Sequence, residues 1–157
     1  MKKVLVALLA CVPMVTMAAG VDGRLAGVRK AFVVPVDDLS DDRPVAVCLA
    51  DHLAAQTPIT AVKTREEADV IFKVKAHVPS ATTRFMVGMM GGTPSADLLA
   101  ELPDGTKLWS DGAKLRRAIG KSGKLDNSDA AKGVECGLAD ELLDTLRTAM
   151  RKARDAK

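Results

Sequence analysis

Residues 68 to 78 constrain this chain most. They read Ala-Asp-Val-Ile-Phe-Lys-Val-Lys-Ala-His-Val, its densest run of β-branched and aromatic residues. Val70, Phe72, Val74, Ala76 and Val78 alternate with Ile71, Lys73, Lys75 and His77. A period of two predicts a strand with one apolar face on a core and one mostly charged face toward water. The flanking segments are then partners of this strand.

The first residues address the compartment. Met1-Lys2-Lys3 is basic, Val4 to Val12 is apolar without a charge, and Pro13 breaks the run. Thr16-Met17-Ala18 supplies small residues where a signal peptidase reads. Residues 1–19 therefore read as a secretory signal peptide, too short to span a bilayer, with cleavage after Ala18, Ala19 or Gly20. Leu8-Leu9-Ala10-Cys11 is a loose lipobox that would leave a signal of only ten residues, which argues against a lipid anchor on Cys11.

Composition narrows the partners. The chain has 157 residues, 48% hydrophobic and 27% charged, enough for one domain with a real core. Aromatics are 3%, so few side chains are available to stack on bases. The net charge of +3 (23 basic, 20 acidic) falls to +1 once Lys2 and Lys3 leave with the signal. Near-neutrality argues against nucleic acid as the partner.

Residues 20–28 read as a flexible lead-in, and 29–157 as a single α/β domain. Lys30 to Val36 is the first strand, with Pro35 expected near its end or at an unpaired position. Asp37-Asp38-Leu39-Ser40-Asp41-Asp42 lacks the ligand spacing of a calcium loop, and no metal site is expected. Ser40, Asp41 or Asp42 instead caps the helix over Arg43 to Gln56, where Val45, Leu49 and Leu53 recur at four-residue spacing. Ile59 to Lys63 is a second strand. After the strand over 68–78, Ser95 to Leu102 and Thr106 to Arg116 form a hairpin through Pro103-Asp104-Gly105. Trp109, in its second arm, reads as a half-buried packing residue. Asp129 to Ala153 is the final helix, with an apolar stripe through Val134, Leu138, Leu142, Leu146 and Ala149.

The order strand, helix, strand, strand, strand, strand, helix predicts a mixed five-stranded sheet of order 2-1-3-4-5. The first two strands are parallel, the last three form an antiparallel meander, and both helices cover one face.

Chemistry-bearing residues are sparse. His52 and His77 fall on different elements without metal-ligand spacing. Gly120-Lys121-Ser122 lacks the earlier Gly of a phosphate loop, and Leu115 stands in that place. No nucleophile elbow, paired-Cys motif or dinucleotide fingerprint is present. No catalytic residue and no cofactor is therefore expected.

A resemblance rests on three stretches: Ala31-Phe32-Val33-Val34-Pro35-Val36, Glu67-Ala68-Asp69-Val70, and Asp104-Gly105-Thr106-Lys107-Leu108-Trp109-Ser110. Over residues 29 to 153 the chain resembles small exported envelope domains: the amino-terminal domain of TolB, CsgG, and lipoprotein activators of penicillin-binding proteins. The resemblance implies a non-enzymatic adaptor or assembly part of the bacterial envelope, with an envelope protein or a second copy as partner. The chain departs from the lipidated members by its poor lipobox, and from a secretion channel by lacking long membrane-spanning insertions. The alternative is a periplasmic carrier or sensor of a small ligand held between sheet and loop; an enzyme ranks third.

Two further expectations come from the residues. Cys48 and Cys136 remain after export and sit on the flanks of the two helices. They are expected to pair, with the helices taken as antiparallel; the alternative is two separate buried thiols. Phe85, Met86, Val87, Met89 and Met90 make an unusually apolar loop with Gly88, Gly91 and Gly92. It reads either as a contact surface for a partner or as cover for Ile71 on the open face of the sheet.

Overall fold

The computed structural model describes residues 20–37, 41–78, 93–115 and 127–156, with the side chains of the last segment described from Gly133 on. The strands are β1 (Lys30–Pro35), β2 (Thr60–Ala61), β3 (Val70–His77), β4 (Ser95–Glu101) and β5 (Lys107–Lys114). The helices are α1 (Asp42–Gln56) and α2 (Asn127–Asp155). The sheet has the expected order, β2-β1-β3-β4-β5. β1 is parallel to β2 and β3, and β3, β4 and β5 are antiparallel.

β3 organises the core as its alternation predicts. Phe72 is fully buried and lies opposite Val33 on β1 and Ala100 on β4. Val70 and Val74 flank it, and Leu98 faces Val74 across the next strand. This face meets Val45, Leu49 and Leu53 of α1 and Leu138, Leu142 and Leu146 of α2 in one apolar cluster. Burial of this kind is the main drive to fold. Trp109 is 7% exposed, more deeply buried than its place in a hairpin arm predicts, because it pairs with Ala100 and leaves room over a small residue.

Ile71 belongs to the other face. It is buried outside the main cluster, in register with Phe32 and Glu101. Lys73 Nζ reaches Glu101 Oε2 at 2.6 Å, a diagonal cross-strand ion pair.

Polar groups fix the strand ends. Asp69, in the Ala-Asp opening of β3, accepts from the amides of Arg29 (3.0 Å) and Lys30 (2.9 Å), so its carboxylate holds the start of β1. Pro35 ends β1, where no amide is needed for the ladder. The hairpin closes through Leu102 N–H to Thr106 O and Gly105 N–H to Leu102 O. Gly105 has φ 88°, the left-handed region that favours glycine. Asp104 accepts from the Thr106 amide, which holds its carboxyl below the usual carboxylate range.

Several expectations need correction. The lead-in is a docked element. Residues Gly23–Gly27 form a 3-10 turn, Leu25 is fully buried, and Asp22 N–H donates to Leu108 O of β5. Asp22 accepts from the backbone and guanidinium of Arg24, which lowers its pKa to about 2. The Gly content hid one buried leucine. β2 is shorter than Ile59–Lys63: Ile59 turns fully into the core before pairing starts, and a 3-10 turn at Arg65–Glu67 follows. The hairpin arms stop at Glu101 and Lys114. α2 starts earlier than predicted and is interrupted at Gly133 (φ 76°, ψ 156°), a backbone conformation glycine tolerates.

The acidic run also differs in role. Asp41 occupies the cap position of α1 without a side-chain cap bond. Its Oδ2 accepts from Val78 N–H at 3.3 Å instead. Asp42 is 4% exposed and accepts from Asp37 N–H (3.0 Å) and Ala76 N–H (2.6 Å). The carboxylates tie the ends of β1 and β3 to the start of α1.

Candidate functional site

The seam between the two helices carries a run of polar and covalent contacts. Cys48 of α1 and Cys136 of α2 form a disulfide, with a Cα–Cα distance of 5.2 Å. One turn further on, His52 Nδ1 lies 2.8 Å from Asp140 Oδ1. Gln56 Nε2 donates to the same oxygen at 2.7 Å. Beyond it, Asp144 and Arg147 pair at 3.0 Å on the solvent side.

The contacts step the same way along both helices: 48 with 136, then 52 and 56 with 140. The helices are therefore parallel, and the antiparallel expectation is wrong. β5 points the same way as β1 and β3, so the helix that returns from it follows the direction of α1. The disulfide itself forms as expected, because residues on matching flanks of parallel helices meet at a common height.

His77 is at the end of β3 in register with Ser95, on the sheet face opposite the helices, so the two histidines do not share a site. Among the described residues no group of three or more His, Cys, Asp or Glu is placed to hold a metal ion. No helix among them is long and apolar enough to cross a membrane. Phe85, Met86, Val87, Met89 and Met90 lie outside the described residues.

In the sequence Asp140 reads as one of the polar residues opposite the apolar stripe of the last helix, and Gln56 only as the end of the first; the structure brings both into the seam. The signal was there: Cys48, His52 and Gln56 recur every four residues, as do Cys136, Asp140 and Asp144. That signal pairs correctly only for parallel helices. Replacing Asp140 with Ala removes a shared acceptor from His52 and Gln56. Both partners are half-exposed, so the loss is discounted to about 1–2 kcal/mol. Urea unfolding of Asp140→Ala checks this, and adding His52→Ala is expected to cost less than the two single changes together.

Where α1 stops, α2 continues. Its residues Asp144, Arg147, Thr148, Arg151 and Arg154 line a groove with Gln56 and Pro58. The groove is of mixed character, with three guanidinium groups and two acids, Asp144 on the same flank of the helix and Asp111 from β5.

No protein-family model matches the chain, and no curated protein matches it. Solved structures of similar outline exist. The PelC dodecamer from Paraburkholderia phytofirmans superposes with a TM-score of 0.41 at 11% identity, over 85% of this chain and 89% of that one. A single-substitution variant of it gives 0.42 at 12%, over 83% and 89%. An uncharacterized lipoprotein B from Nitrosomonas europaea gives 0.34 at 14%, over 79% of this chain and 81% of that one. None of these three bears the name of a TolB domain, a CsgG protein or a penicillin-binding-protein activator.

Proposed function

We propose that this chain is exported and serves as a non-enzymatic protein-binding or assembly domain of the bacterial envelope. The observation that carries the reading is the Cys48–Cys136 bond. Structural disulfides persist in oxidising compartments such as the periplasm. The bond agrees with the basic, then apolar, then small-residue start of the chain. The sheet face opposite the helices supports the binding role. Phe32, Val34 and Leu99 are half-buried there, and Val36 is 48% exposed. Apolar side chains gathered on one face are the kind of surface that partners cover. By composition alone, the Phe85 to Met90 segment offers a further contact of adaptable methionines.

Affinity capture of the tagged full chain from envelope extract, with intact-mass and native mass spectrometry of the product, tests the reading. The expected product starts between residues 19 and 21, carries no lipid on Cys11, and brings down a stoichiometric protein partner or a second copy. Met89→Ser with Met90→Ser is expected to reduce that capture while leaving the melting temperature nearly unchanged. A chain retaining Lys2 and Lys3, or one that holds a small molecule and no protein, sinks the reading.

A further inference from the structure

α1 ends at Gln56, level with Asp140 of α2, where the Gln56 amide donates to the Asp140 carboxylate. α2 runs on to Asp155. At 1.5 Å per residue that leaves roughly 22 Å of helix beyond the end of its neighbour. Arg147, Arg151 and Arg154 follow Asp140 at steps of seven, eleven and fourteen residues. Those steps keep them on the flank that α1 covers further up. They line one groove with Gln56, Pro58, Asp111 and Asp144, so three guanidinium groups there face two carboxylates.

A solvated helix end explains part of this, since cations suit the carboxyl terminus of a helix. It does not explain the alignment. Lys152 is equally basic and does not line the groove, whereas all three arginines do. Arg147 is two turns inside the helix and is oriented by Asp144. Among the described residues Arg151 and Arg154 form no ion pair.

We infer that this flank of α2 is the docking site for an extended acidic segment of a protein partner; this rests on the protein-binding reading above. Guanidinium groups bind carboxylates through two parallel hydrogen bonds, which lysine cannot copy. Arg147 and Arg151 are about 6 Å apart along the helix axis. Same-side residues of an extended chain repeat at about 6.7 Å, so successive acidic side chains meet successive arginines. The Gln56 amide at the groove's edge suits the peptide backbone. A nucleic acid would look for stacking aromatics, and Trp109 and Phe72 are buried on the core side.

The test is fluorescence anisotropy with a labelled peptide of alternating Glu and Ser, its Gln-for-Glu counterpart, and labelled dextran sulfate, at physiological salt. The exported chain is expected to bind the Glu peptide at least tenfold more tightly than the Gln peptide. Arg151→Glu with Arg154→Glu is expected to weaken that binding at least tenfold. Lys30→Glu with Lys75→Glu, on β1 and β3, is expected to change it less than twofold. Arg151→Gln with Arg154→Gln serves if charge reversal disturbs folding, which a thermal melt reports. Equal binding of both peptides, equal loss in the lysine control, or binding of dextran sulfate without the peptide each overturns the inference. Envelope capture separates the two readings. A partner held equally by the wild-type chain and the arginine variant removes this site and leaves the protein-binding role standing. Peptide binding with no captured partner does the reverse.

Discussion

Reducing the Cys48–Cys136 bond lowers the thermal unfolding midpoint by about 12–25 °C. The bond closes a loop of 88 positions that contains every strand after β1. On the chain-entropy account, opening a loop of that length costs about 4–5 kcal/mol, because the reduced denatured chain regains that freedom. For a domain of this size each kcal/mol moves the midpoint by about 3–5 °C. The place of the bond adds to the effect. α1 packs on β1, β2 and β3, and α2 packs on β4 and β5, so the cross-link joins the two halves of the sheet through their helices. Scanning calorimetry with and without a strong reductant measures the shift. Cys48→Ala with Cys136→Ala is expected to melt near the reduced protein and to ignore reductant. A shift under about 2 °C in protein whose two thiols are both alkylated would show that the seam holds without its bond.

Much of the fold is legible in the sequence, because alternation and hairpin chemistry are local signals. Residues 70 to 78 place Val70, Phe72 and Val74 on one face, and the structure buries all three against the helices. Pro103-Asp104-Gly105 sets the hairpin, and Gly105 takes the left-handed turn it alone tolerates without strain. The strand order follows from these elements and from short connections. What escaped was relational. Helical periodicity marks which flank of α2 carries Cys136, but not the direction in which α2 passes α1; that depends on counting strand reversals. Leu25 was hidden among glycines, and one buried leucine suffices to dock the turn that carries it. Ser and Asp before a helix commonly cap it, so the acidic run reads in the sequence as capping chemistry. Its carboxylates instead satisfy amides at the end of β3 and just past it, more than thirty residues away in sequence.

Among the described residues Asp42 is therefore the polar one whose loss should weaken the domain most. Its side chain is 4% exposed, and its two oxygens accept one amide each, from Asp37 and from Ala76. Ala76 lies near the end of β3, so the carboxylate joins the first turn of α1 to the organising strand. Replacing Asp42 with Ala leaves both amides without an acceptor in a place with little access to water. Each such orphan costs about 1–3 kcal/mol. Loss of a negative charge in the first helical turn adds about 0.3–1 kcal/mol. The expected destabilisation of Asp42→Ala is therefore about 3–5 kcal/mol, read from urea unfolding. Asp42→Asn keeps one acceptor oxygen but turns an NH2 group toward the other donor, so it should lose about half as much. Asp41→Ala is the control, because its contact with Val78 is longer at 3.3 Å. That change should cost under about 1 kcal/mol. Hydrogen exchange adds a local reading: the Ala76 amide should lose protection in Asp42→Ala, while amides in the middle of β3 fall only with global stability. If Asp42→Ala unfolds within about 0.5 kcal/mol of the wild-type chain, the carboxylate is not what secures the end of β3, and packing of Val45 and Leu49 against that strand must hold it instead.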